Sequence, residues 1–145
     1  MVLVKFVCSQ FIKMAGKYFT YDWFDKVILV VEDEPACQLF FRTILRTTDV
    51  KLFFASRGEQ ALNFVKQVPK IDMVLMDIKL PGIDGIETAK KIKEIRPEIP
   101  VIIQTAYALN TEKERAMEAG CDDFLTKPIQ VESLFEKMDR IFMTI

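Results

Sequence analysis

Five side chains of complementary chemistry stand at the ends of four short, largely apolar runs. Glu32 and Asp33 follow Val27-Ile28-Leu29-Val30-Val31, and Asp77 follows Met73-Val74-Leu75-Met76. Thr105 follows Val101-Ile102-Ile103-Gln104, and Lys127, with Pro128 after it, follows Asp123-Phe124-Leu125-Thr126. Like charges brought within a few ångströms repel unless a cation neutralises them, and an all-oxygen ligand set favours Mg2+ or Mn2+. Mg2+ is usually held by one or two carboxylates together with phosphate oxygens, so the set reads as half of a phosphoryl-transfer site. Asp77, on the middle run, is the natural nucleophile, because an aspartate can attack phosphorus to give an aspartyl phosphate. Thr105 and Lys127 would then contact phosphoryl oxygens. Taken singly, each residue has a plainer use as a helix cap, a turn residue or a solvated lysine. Their joint placement at strand ends sets them apart.

The elements that must position these groups alternate along the chain. The runs at Val27–Val31, Met73–Met76 and Val101–Gln104 are continuous and β-branched or aliphatic, as in parallel strands covered on both faces. Lys51-Leu52-Phe53-Phe54-Ala55 and the run from Asp123 to Thr126 are more mixed, which suits sheet edges. Between them lie amphipathic segments. Ala36, Phe40, Phe41, Ile44 and Leu45 line a helix opening near Pro35, and Leu62, Val65 and Val68 line a second. A third runs from an Asp84 N-cap to Ile95, before Pro97. A fourth opens with Thr111-Glu112-Lys113-Glu114, read as a capping box, and ends at Gly120. The last buries Leu134, Phe135, Met138, Ile141 and Phe142. Five βα units with short connections predict an α/β fold, a doubly wound five-stranded parallel sheet whose functional crevice lies beyond the carboxyl ends of the strands.

The composition bounds the alternatives. At 145 residues the chain has room for one core, with 50% hydrophobic and 28% charged residues, as in an ordinary globular domain. A net charge of −1 gives no general electrostatic grip on nucleic acid or anionic membrane. The absence of histidine removes Ser-His-Asp and Cys-His catalysis. Cys8, Cys37 and Cys121 lack C-x-x-C spacing and point to free thiols and a cytoplasmic location rather than a disulfide framework. Residues 1–25 read as a leader or linker and 26–145 as the domain. Lys5 and Lys13 interrupt the apolar start, which argues against membrane insertion and against a signal peptide. The aromatic stretch from Lys17 to Lys26 fits an added strand, a short helix or a linker.

The segments Val30-Val31-Glu32-Asp33-Glu34, Leu75 to Gly85 through Asp77 and Leu80-Pro81-Gly82, Gln104-Thr105-Ala106-Tyr107-Ala108 and Ala119 to Pro128 together resemble the receiver domain of two-component response regulators. The resemblance covers Lys26 to about Met143. It implies a flavodoxin-like sheet of order 2-1-3-4-5. It makes Asp77 the phosphoacceptor, served by a partner histidine kinase or phosphotransfer protein. It implies Mg2+ on Asp33, Asp77 and the backbone carbonyl of Lys79, with Glu32 acting through water, and phosphate contacts from Thr105, Lys127 and the backbone N–H of Ala106. A cis Lys127-Pro128 bond is expected, and Phe124 falls at the aromatic switch position that moves with Thr105. The output surface would be the fourth helix, fifth strand and fifth helix, meeting a downstream protein or a second copy.

Competing readings are a docking module that is never phosphorylated and a phosphohydrolase of the haloacid dehalogenase type. The latter needs a second acid two residues after the nucleophile, where this chain has Lys79, so a switch rather than an enzyme is expected. A nucleotide or flavin carrier is disfavoured by the lack of G-x-G-x-x-G. With no output domain expected within the chain, it reads either as a stand-alone receiver or as a piece of a hybrid sensor kinase.

Overall fold

The computed structural model describes residues 21–107 and 109–144. Five strands, β1 (Val27–Val31), β2 (Lys51–Ala55), β3 (Met73–Asp77), β4 (Val101–Thr105) and β5 (Asp123–Thr126), form one parallel sheet in the order β2-β1-β3-β4-β5. The helices are α1 (Pro35–Leu45), α2 (Gly58–Gln67), α3 (Gly85–Ile95), α4 (Asn110–Glu118) and α5 (Val131–Thr144). The two mixed runs occupy the edges, and the three strands buried along their whole length lie in the middle.

Because strand side chains alternate between faces, each central strand feeds two separate cores. Leu29, Val31, Val74, Met76, Val101 and Ile103 face α2, α3 and α4, where Ala61, Val65, Ala89, Ile92 and Ala116 meet them. Ile28, Val30, Met73, Leu75, Ile102 and Leu125 face α1 and α5, where Phe41, Ile44, Leu134, Phe135 and Met138 pack. The sequence pattern identifies these contacts except at Ala36. This residue, in the first turn of α1, is exposed, and the buried face of the helix begins further along, with Phe41, Ile44 and Leu45.

The packing reaches N-terminally of Lys26. Trp23 is buried, donates its backbone N–H to Thr48 O at 2.7 Å, and sets its ring edge-on to Phe135 and Phe142 at centroid distances of 5.6 and 5.2 Å. Tyr21 stands edge-on to Phe135 as well. These rings add apolar cover to α5 without forming a strand or helix of their own. Residues 1–20 of the leader, including Cys8, lie outside the described residues.

Helix termini follow the sequence at three of the four places where a cap was expected. Pro35 opens α1, Asp84 caps α3 by accepting the Glu87 N–H at 2.8 Å, and Gly120 follows α4 with φ of +87°. The capping box does not form. Leu109 is the N-cap of α4 and makes no side-chain bond, since the helix starts two residues earlier than a cap at Thr111 implied. Arg96, just past α3, supplies a cap that sequence reading missed. Its guanidinium donates to Val68 O at 2.9 Å and Pro69 O at 3.1 Å, closing the carbonyl end of α2.

Candidate functional site

Parallel register brings the strand-end groups to one edge. Val31 is level with Met76, so Glu32 comes beside Asp77, and Thr105 is level with Thr126, so Lys127 lies one residue beyond. Carboxylate oxygens of Glu32, Asp33 and Asp77 all lie within 4.8 Å of one another. Lys127 Nζ donates to Glu32 Oε2 at 3.1 Å and to Asp77 Oδ2 at 3.2 Å. The Lys127-Pro128 bond is cis, as expected.

Gly85 makes this edge possible. A Cβ there would fall 1.8 Å from the carbonyl oxygen of Asp77, so only glycine lets the first turn of α3 close over the strand end. The Gly85 N–H donates to Ile78 O at 2.8 Å across the same approach. The backbone N–H of Lys79 leans toward Asp77 Oδ1 at 3.4 Å.

The charges are unevenly matched. Glu32 and Asp77 are buried while Asp33 is open to solvent. Burial pushes the Glu32 carboxyl above its ordinary range and the Asp77 carboxylate adds to that, while the Glu34 N–H and Lys127 oppose it. For Lys127, burial works downward, but Asp77 and Glu32 outweigh it and hold the ammonium above the usual lysine value. One ammonium therefore faces three carboxylates. The hard oxygen donors and the surplus of negative charge fit a small divalent cation of the Mg2+ type.

Thr105 is buried at the end of β4, and its hydroxyl bonds toward α4 and the turn after β4. Oγ1 lies 3.1 Å from Glu112 Oε2 and accepts the Tyr107 N–H at 3.2 Å. Glu112 lies inside the Thr111–Glu114 stretch read as a capping box, whose own acid is Glu114; its position in the first turn of α4 was legible, its use was not. Ala106 occupies the exposed bend after β4. Phe124 is half-buried on β5, with Lys113 Nζ 5.6 Å from its ring centroid. Lys79 Nζ stands 4.5 Å from the centroid of the exposed Tyr107 ring, a pairing across the mouth of the site that no spacing rule signalled.

A sheet of order 2-1-3-4-5 with an acidic cluster and a lysine at its carboxyl edge defines a class, and comparison places the chain within it. Residues 28–139 match the family model of the response regulator receiver domain, and the chain belongs to that family. It is 33% identical over 114 residues to the polar-differentiation response regulator DivK of Brucella anthropi, across 77% of this chain and 91% of that protein. It is 35% identical over 112 residues to the sensor histidine kinase GacS of Pseudomonas protegens, across 74% of this chain and 12% of the kinase. The chain spans between 7 and 25% of the length of several kinases and transcriptional regulators that it matches. Among solved structures, the receiver domain of the sensor histidine kinase PA1611 of Pseudomonas aeruginosa, with a magnesium ion in its active-site cleft, aligns at a TM-score of 0.73 and 31% identity, covering 79% of this chain and 95% of that one. This is a receiver domain of two-component signalling, a family of switches. No described helix is long and apolar enough to cross a membrane.

Proposed function

We propose that the chain is a phosphorylation-controlled switch that accepts a phosphoryl group on Asp77 from a phosphohistidine of a partner histidine kinase or phosphotransfer protein. The observation that carries this reading is the contact of Lys127 Nζ with both Asp77 and Glu32, with Asp33 in the same cluster. An Asp77 carboxylate oxygen attacks phosphorus, the P–N bond breaks, and its electron pair stays on the donor imidazole. Lys127, already 3.2 Å from Asp77 Oδ2, transfers its hydrogen bonds to phosphoryl oxygens. Asp33, Asp77 and the Lys79 carbonyl would hold the cation, with Glu32 acting through water. A bound Mg2+ would draw off part of the negative charge on the transferring group. Thr105 and the Ala106 N–H complete the phosphoryl cradle, and Phe124 follows Thr105 inward.

The new charge, about −1.5 to −2 near neutral pH, would bias the face formed by α4, β5 and α5 and so control a downstream protein or a second copy, in the cytoplasm and without nucleic acid contact by the domain itself. The test is incubation with acetyl phosphate and Mg2+ followed by mass spectrometry. A labile phosphoryl adduct present in the wild type and absent in Asp77→Asn supports the switch. No adduct in the wild type favours a docking module.

A further inference from the structure

Thr105 has one hydroxyl proton, and α4 competes for it. The hydroxyl is buried and lies 3.1 Å from Glu112 Oε2, nearer than the 3.4 Å to its other acceptor, Tyr107 O. A hydroxyl donates one hydrogen bond at a time, so it can serve the Glu112 carboxylate or a phosphoryl oxygen on Asp77, not both. We propose that Glu112 is a positioning residue that latches Thr105 away from the phosphoryl site and, through its place in the first turn of α4, couples release of that latch to movement of the helix. This rests on the reading of Asp77 as phosphoacceptor.

Three observations fit a latch better than a fixed structural bond. Glu112 is only partly buried, so it can return to water when released. It sits at the third position of a helix that has no side-chain cap, where the positive end of the helix favours a carboxylate whether or not Thr105 is bound. The arriving phosphoryl group carries negative charge, so it attracts the Thr105 hydroxyl while repelling the Glu112 carboxylate. Both effects push in one direction.

The probe is fluoroberyllate with Mg2+, titrated into the full chain and followed through amide NMR shifts. Removing a contact that favours the unmodified arrangement raises the fraction of competent molecules, and apparent affinity rises with that fraction. Glu112→Ala should bind fluoroberyllate roughly 3- to 10-fold more tightly than wild type, the range for loss of one hydrogen bond of ordinary net strength. Glu112→Gln, which keeps an acceptor without the charge, should shift affinity in the same direction by less, and it serves if the alanine variant folds poorly. In a Thr105→Ala background the Glu112→Ala shift should vanish, which a merely structural role for Glu112 would not produce. Unchanged or weaker binding by the Glu112 variants, or an equal shift with and without Thr105, overturns the latch while leaving the phosphoacceptor reading intact. Failure of the wild type to bind fluoroberyllate overturns that reading and the latch with it.

Discussion

α5 and α4 flank the same edge strand and are held by different forces. α5 buries Val131, Leu134, Phe135, Met138 and Phe142, and Tyr21 and Trp23 close over its outer side. α4 buries Ala116 alone among its nine residues. Apart from Ala116, the contacts that hold α4 are polar or cation–π: Glu112 to Thr105, Arg115 to Asp84 at 3.2 Å, and Lys113 over the Phe124 ring. Moving α5 would expose large apolar side chains, each contributing about 1.5–3 kcal/mol when buried. Moving α4 exchanges surface contacts, each of about 1 kcal/mol or less, for similar ones with water. The domain thus pairs a fixed helix with one that a modest charge event can displace, and both lie on the proposed output face.

The largest test of this contrast is truncation on the α5 side. Phe135→Ala removes a fully buried ring that touches Trp23 and Tyr21, and should lower unfolding free energy by about 3–5 kcal/mol in urea melts. Loss below about 1 kcal/mol would mean that α5 is not the anchor. A stabilising change should come from the same side. Gln104 is buried on β4, and both polar atoms of its amide lack a hydrogen-bond partner in a slot lined by Phe41, Leu75, Ile102, Leu125 and Leu134. An unmet buried polar group costs about 1–3 kcal/mol. Gln104→Leu, close in volume, should therefore raise urea stability by about 1–2 kcal/mol. A loss would show that the amide finds partners in solution.

Gln104 also shows where sequence reading stops. Its place at the end of an apolar strand is visible in the chain, but its face and its missing partners depend on which helix crosses above it. The edge strands and the carboxylate cluster were legible because continuous apolar runs and strand-end placement are local signals that parallel register turns into neighbourhood, whereas the sheet order came with the resemblance to receiver domains. Glu112 was passed over because the Thr111-x-x-Glu114 spacing suggested a cap, and only the fold brings Thr105, seven residues back, beside Glu112. Trp23 looked equally like linker or packing, since aromatic content does not state which surface receives it. The Arg96 clamp joins residues 28 positions apart, and no periodicity encodes it.

Smaller effects sharpen the comparison at α4. Arg115→Ala removes an exposed ion pair to Asp84, and global stability should fall by less than about 1 kcal/mol. Local opening should respond more: amide hydrogen exchange in α4 should already be faster than in α5, and faster again in this variant. Equal protection of the two helices would remove the distinction between them.

The effect confined to the narrowest range of conditions is a titration beside the loosely held helix. Cys121, between α4 and β5, packs against the core on the α4 side, and burial, aided by Asp122, pushes its thiol from 9.0 up to about 11 while Lys93 pulls weakly the other way. Between those values an unfolded thiol has ionised and the folded one has not, so the unfolded chain loses its proton first. The stability contribution is complete below pH 9.0 and is lost as pH rises toward about 11. Over that range Cys121→Ser should flatten the pH dependence of urea stability, because serine does not ionise there. The same burial should keep alkylation of Cys121 slow near pH 8 until α4 opens, so Arg115→Ala should speed it. An alkylation rate equal to that of a free thiol in the wild type would mean that this side of the core is already open.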